Sequence, residues 1–135
     1  MGSSENGLME YVWVGLGSAL GGMCRHYIAV VSLNRFGAAF PWGTYLVNVV
    51  GSFTIGLIAV WVAQGRSPFV LVPVQRFLLV GLLGGFTTFS SFSLQTWQLY
   101  ERGQTSLAVL NAVGSLLSCL VAVALGMRLA RFFAG

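Results

Sequence analysis

The chain has no lysine and no aspartate, and its acidic groups amount to three glutamates. Charged residues fill 7% of the 135 positions, whereas a soluble domain needs roughly 25% to cover its surface. A water-facing exterior is therefore excluded. With 56% hydrophobic residues and a mean hydropathy of +0.83, the sequence reads as a single-domain integral membrane protein. The scarcity of acids also speaks against an enzyme. Glu5 and Glu10 precede the first apolar segment, Glu101 sits in a connection, and His26 is the only histidine. No carboxylate pair, nucleophile–base set or metal cluster can be assembled from these. The two cysteines, Cys24 and Cys119, lie in apolar stretches and read as small hydrophobes, not as a disulfide or metal pair. The net charge of +4 comes from arginines spaced out at segment ends, which bears on orientation and not on nucleic-acid binding.

Apolar sequence is abundant. After a polar tail over 1–10, four segments at about 11–33, 42–63, 77–100 and 107–127 are long enough to span, since about 20 helical residues cross a bilayer core of ~30 Å. Trp13, Trp42, Trp61, Trp97 and Tyr100 fall near their ends, where aromatic belts form. The expected architecture is an all-α membrane domain of four helices over 11–130. Both termini and the second connection share one side, with Arg66, Arg76, Arg128 and Arg131. The other side has Arg35 and Arg102, with Arg25 nearby. Four against three is a weak bias under the positive-inside rule. That count leaves open one fixed orientation or insertion both ways round, and the latter would permit an antiparallel homodimer. Small residues recur at packing distance in Gly17/Gly21, Ser18/Gly22, Gly81/Gly85 and Gly114/Ser118.

Polar groups inside such spans mark either helix–helix hydrogen bonds or a lined pathway. Thr44, Asn48 and Ser52 share a face of the second span. Thr88, Ser91 and Gln95 share one in the third, and Asn111 and Ser115 are an i,i+4 pair in the fourth, extended by Cys119. All are neutral, and most can donate hydrogen bonds. With Arg25 as a nearby positive charge, or as a snorkelling head group, such a set suits a small anion better than a cation.

The most unusual stretch is GGFTTFSSFS, residues 84–93. Two glycines cost a helix about 1 kcal/mol each relative to alanine, so a break is expected here. Carbonyls freed at membrane depth need protein or an ion to satisfy them. Beyond the break, Phe89 and Phe92 fall at i,i+3 on one face, where their weakly positive ring edges face an anion or simply pack against lipid.

GGFTTFSSFS resembles the GG-x-TTFSTFS signature of the CrcB/Fluc fluoride channels. The likeness continues through GMCRHY around Arg25, PWGTYLVNVVGSF around Asn48, ERG after the third span and LAVLNAVGS in the fourth, covering about residues 10–130. The resemblance implies a multi-pass protein of the bacterial inner membrane, a dual-topology antiparallel homodimer with the third helix broken near its middle. It implies two fluoride pathways that export toxic fluoride passively from the cytoplasm, and a central structural sodium ion. By motif position, the sodium would be held by the backbone carbonyls of Gly84 and Thr87. The fluoride path would include Asn48, Phe89, Ser91, Phe92, Asn111 and Ser115, with Arg25 in a vestibule. Gln95 stands where the family often has Glu, and Asn111 where Tyr is frequent. Two other classes compete. A small multidrug exporter needs a carboxylate within the first span, where only Glu10 stands at the very start. In a non-transporting scaffold subunit, the polar rows would be helix glue.

Overall fold

Residues 2–65 and 72–134 are described in the computed structural model, and among them every regular element is helical. Helix α1 is Gly2–Phe36 and α2 is Trp42–Ala63. Helix α3 covers 72–86, including a wider π-helical stretch at Arg76–Leu83. Helix α4 is Phe89–Glu101, and α5 covers 105–134 with π turns at Leu110–Gly114. Arg66 and the rest of 66–71 lie outside the described residues.

The second span keeps its expected bounds, but the others are longer. Helix α1 includes the polar opening from Gly2 onward. It contains no proline to break a helix. Glu10 then meets Arg76 at 3.2 Å, joining α1 to the start of α3 at a half-exposed position. Trp42–Ala63, Val72–Glu101 and Thr105–Phe133 are each long and apolar enough to cross a membrane, with mean hydropathies of 2.1, 1.6 and 2.2. Helix α1 has the length, but Gly17, Gly21, Gly22 and the Arg25–His26 pair dilute its hydropathy. Its place as a fourth span rests on its 35-residue length and on its packing along α3.

That packing depends on missing side chains. Lipid removes most of the hydrophobic drive for helix association, so close backbone approach must supply van der Waals contact instead. Gly17 and Gly21 of α1 lie directly on the backbone of α3 at Phe77, Leu82 and Phe86, while Gly81 and Gly85 answer from α3 against Val14, Gly17 and Ser18. A second seam joins α2 to α5, where Gly56 sits on the Val123 carbonyl and Gly126 on the Phe53 carbonyl. Gly43 lets α2 touch α1 at Ala29. Of the predicted small-residue pairs, Gly17/Gly21 and Gly81/Gly85 form one seam. Gly22 faces open space, and Gly114 meets only a leucine of its own helix. Between the seams lies a small core of Val47, Val60, Leu83, Leu99, Ala108, Ala122 and Ala130, joined by buried Ser32, Thr44, Thr88, Asn111 and Ser115. The turn between α4 and α5 is made by Gly103 at φ +74°, which only glycine adopts without cost.

Gly126→Leu should wedge α2 from α5 and destabilise the protein by about 1–3 kcal/mol or more. Gly15→Ala, with nothing within 4 Å, should be neutral. Thermal unfolding in detergent followed by tryptophan fluorescence distinguishes the two, and a Gly126→Leu protein that melts like wild type would remove this seam from the account.

Candidate functional site

The chain breaks between α3 and α4 at Thr87 and Thr88, which are both extended (φ −83°, ψ 157° and φ −154°, ψ 117°). The break falls within the expected stretch GGFTT, at its threonines, while Gly84 and Gly85 stay helical. Gly85 is needed for the contact with Ser18, and the interruption falls on two β-branched residues that prefer extended backbone.

The side chains at the break have defined partners. The Asn48 side chain lies alongside Thr88, where Oδ1 accepts the Thr88 N–H at 2.8 Å and Nδ2 donates to the Thr88 carbonyl at 3.1 Å. Thr88 Oγ1 caps α4 by accepting the Ser91 N–H at 3.2 Å, and it donates to Ser91 Oγ at 3.1 Å. The Leu83 carbonyl receives both the N–H of Thr87, at 3.0 Å, and its hydroxyl, at 2.9 Å. Carbonyls on either side of the break lose their helical donors, those of Gly84 and Thr87 among them. In an unbroken helix Gly84 would be bonded by the Thr88 N–H and Thr87 by the Ser91 N–H. Here those donors go to Asn48 and to the Thr88 hydroxyl instead. Gly84 and Thr87 thus offer main-chain oxygens without their helical donors, a set suited to a hard cation.

A groove of about 370 Å³ opens beside the break and brings together Asn48, Gly84, Thr87, Phe89, Phe92 and Ser115, with Ser52 and Cys119. The Phe89 and Phe92 rings lie 5.4 Å apart with planes inclined at 46°. Phe89 is 79% exposed, although it sits in the middle of a membrane-spanning segment. Ser115 is buried and donates to Asn111 Oδ1 at 3.2 Å, while Asn111 Nδ2 donates to Thr96 Oγ1 at 2.7 Å. Asn111 is therefore held behind the groove, between α5 and α4, and Ser91 sits at the cap. Arg25 lies apart, on a surface of α1 that it shares with Ser18, Gly22, His26 and Tyr27.

The sequence reading did not anticipate Thr96, which holds Asn111, or a second cavity. That cavity, of about 300 Å³, lies where the α1–α2 connection faces the end of α4, lined by Ser32, Thr44, Gln95, Gln98 and Arg102 among others. Gln95 Oε1 is buried there with no hydrogen-bond partner among the described residues. The polar rows of the second and third spans thus divide between two places. Asn48 and Ser52 serve the groove while Thr44 and Gln95 serve the second cavity.

Comparison with known proteins places this geometry in context. Residues 12–127 match the model of the family described as CrcB-like protein, Camphor Resistance (CrcB). The chain is 48% identical over 116 residues to the fluoride-specific ion channel FluC of Opitutus terrae, covering 86% of this chain and 88% of that one. It is 44% identical over 123 residues to fluoride-specific ion channel FluC 2 of Nitrobacter hamburgensis, covering 91% and 98%. With the FluC of Paramagnetospirillum magneticum it shares 45% over 119 residues, covering 88% and 93%.

Thr88→Val keeps the shape of the side chain but removes the α4 cap, and should cost about 1 kcal/mol of stability. Thr88→Ser should retain most of it. Equal melting temperatures for the two variants would show that the Thr88 hydroxyl contributes nothing to the break.

Proposed function

The chain belongs to the CrcB-like family, and from this premise we propose that it is a fluoride-selective channel through which fluoride leaves the cytoplasm passively. The working form is a dual-topology antiparallel homodimer in the bacterial inner membrane, with two pathways and a central sodium ion. The observation that supports this best is the groove itself. It combines neutral hydrogen-bond donors with an aromatic pair at membrane depth, and among the described residues no carboxylate lines it.

Fluoride is small and holds its water tightly, so a selective path must replace that water with donors at little net cost. Asn48 uses one of its two amide hydrogens on Thr88, which leaves the other for the groove. Ser91 accepts from Thr88, so its own hydroxyl hydrogen is free to donate. Ser115 can turn its hydroxyl from Asn111 toward a passing anion, and the second amide hydrogen of Asn111 extends the row. Phe89 and Phe92 present ring edges, whose positive quadrupole favours a compact anion. An exposed Phe89 and an open groove suit a pathway completed by a second copy of the chain. In that assembly Arg25 would contribute positive potential at a vestibule.

The sodium ion would be held by the Gly84 and Thr87 carbonyls, together with those of the partner subunit. When bound it supplies a fixed positive charge and a tie between the two broken helices. The diverted donors of these carbonyls fit that role.

Proteoliposomes loaded with fluoride, under a potassium gradient with valinomycin, should release fluoride rapidly and chloride hardly at all. Drug-coupled proton movement, or silence with every ion, would overturn the reading. Phe89→Ile and Phe92→Ile should each slow fluoride release about tenfold or more, equivalent to roughly 1.4 kcal/mol. Undiminished flux in a folded variant would remove the ring edges from the mechanism.

A further inference from the structure

We propose that Asn48 is the positioning residue of the cation site: by occupying the backbone of Thr88, it creates the unpartnered carbonyl of Gly84 and orients that of Thr87. This rests on the cation reading given above, and it assigns Asn48 a role separate from donating to fluoride.

The geometry is that of a strand partner reduced to one side chain. Thr88 is extended, and the Asn48 carboxamide bonds both its N–H and its carbonyl, as a neighbouring peptide would in a β-ladder. Few side chains can make both bonds. Serine offers one short hydroxyl, aspartate has the acceptor without the amide donor, and glutamine is a methylene too long. Gly51, one turn along the same face of α2, completes the cradle. A Cβ there would collide with the Thr87 methyl, so its absence lets the break lie flat on α2. Helix α2 thus approaches the break with a carboxamide at Asn48 and a gap at Gly51, three residues apart.

The remaining hydrogen bonds agree with this division. The Leu83 carbonyl is filled twice by Thr87, and that of Thr88 is met by Asn48. The Thr88 N–H that would otherwise close on Gly84 is held 2.8 Å from Asn48 Oδ1. Without Asn48, this N–H has one nearby main-chain acceptor of helical register, the Gly84 oxygen. The break would then close and the oxygen would be lost to a cation. A residue acting only as a fluoride donor would have no such effect.

The test uses the purified full-length protein in detergent, melted in sodium chloride and in N-methyl-D-glucamine chloride of equal ionic strength. Wild type and Ser115→Ala should melt higher in sodium, whereas Asn48→Ala should melt at the same temperature in both salts. Asn48→Asp keeps the acceptor for Thr88 N–H. It should therefore retain the sodium-dependent rise while losing fluoride flux, and it serves if Asn48→Ala does not fold. A sodium-dependent rise preserved in Asn48→Ala overturns the proposal, even if both melting points fall together, because that pattern is a purely structural contribution. Loss of the rise in Asn48→Asp overturns it as well. A wild type indifferent to sodium instead refutes the cation reading on which the proposal stands, and the proposal falls with it.

Discussion

The two hydrogen bonds between the Asn48 carboxamide and the backbone of Thr88 determine where the rest of the groove lies. In hydrocarbon an unpaired peptide group costs several kcal/mol, so a spanning helix is interrupted only where protein takes over the broken bonds. Here the takeover is economical. One side chain of α2 satisfies one residue, the Thr88 hydroxyl restarts α4, and the Thr87 hydroxyl closes α3. The break displaces α4 from the line of α3 and brings Phe89 and Phe92 beside Ser115 and Ser52. An uninterrupted helix over 72–101 would turn those rings to a different face.

A break of this kind needs rigid surroundings, and the two glycine seams provide them. Helix α3 cannot slide along α1 while Gly17, Gly21, Gly81 and Gly85 interlock. Helix α2, which presents Asn48, is held against α5 by Gly56 and Gly126, and again by the Tyr45–Ser118 hydroxyl contact at 2.8 Å. Few large side chains are buried, so the precision of the site comes from backbone contacts rather than from a bulky core. The buried Asn111 braces α4 in the same way, bonding Thr96 across a turn only three residues long.

Much of this was legible because local rules applied. The second span ends where its hydrophobic run ends, and the polar rows follow helical spacing. The glycine pairs at 17/21 and 81/85 mark a seam by their four-residue interval. GGFTTFSSFS announced a break. What stayed hidden depended on distant partners. Spacing within GGFTT does not say which of its residues leave the helix; the contact with Ser18 holds Gly85, and Asn48, 40 residues away, holds Thr88 extended. Periodicity places Asn111 on the face of Ser115 but says nothing of its depth, so its burial behind the groove was hidden. The π turns at 76–83 and 110–114 have no counterpart in the hydrophobic spacing. The α2–α5 seam escaped notice because Gly56 and Gly126 stand singly, each answered only from another helix.

Because the partner of the break lies earlier in the chain than the break itself, synthesis order matters. Asn48 emerges from the ribosome forty residues ahead of Thr88. Residues 72–101 are apolar and long enough to enter the bilayer as one continuous rod. Until α2 docks, nothing in the hydrocarbon can take the Thr88 amide from Gly84, and the unbroken rod is the better-satisfied state. A chain whose spans insert first would form the interruption during assembly, when two inserted helices meet and exchange one hydrogen bond for another. Such a chain has its spans before it has its broken helix.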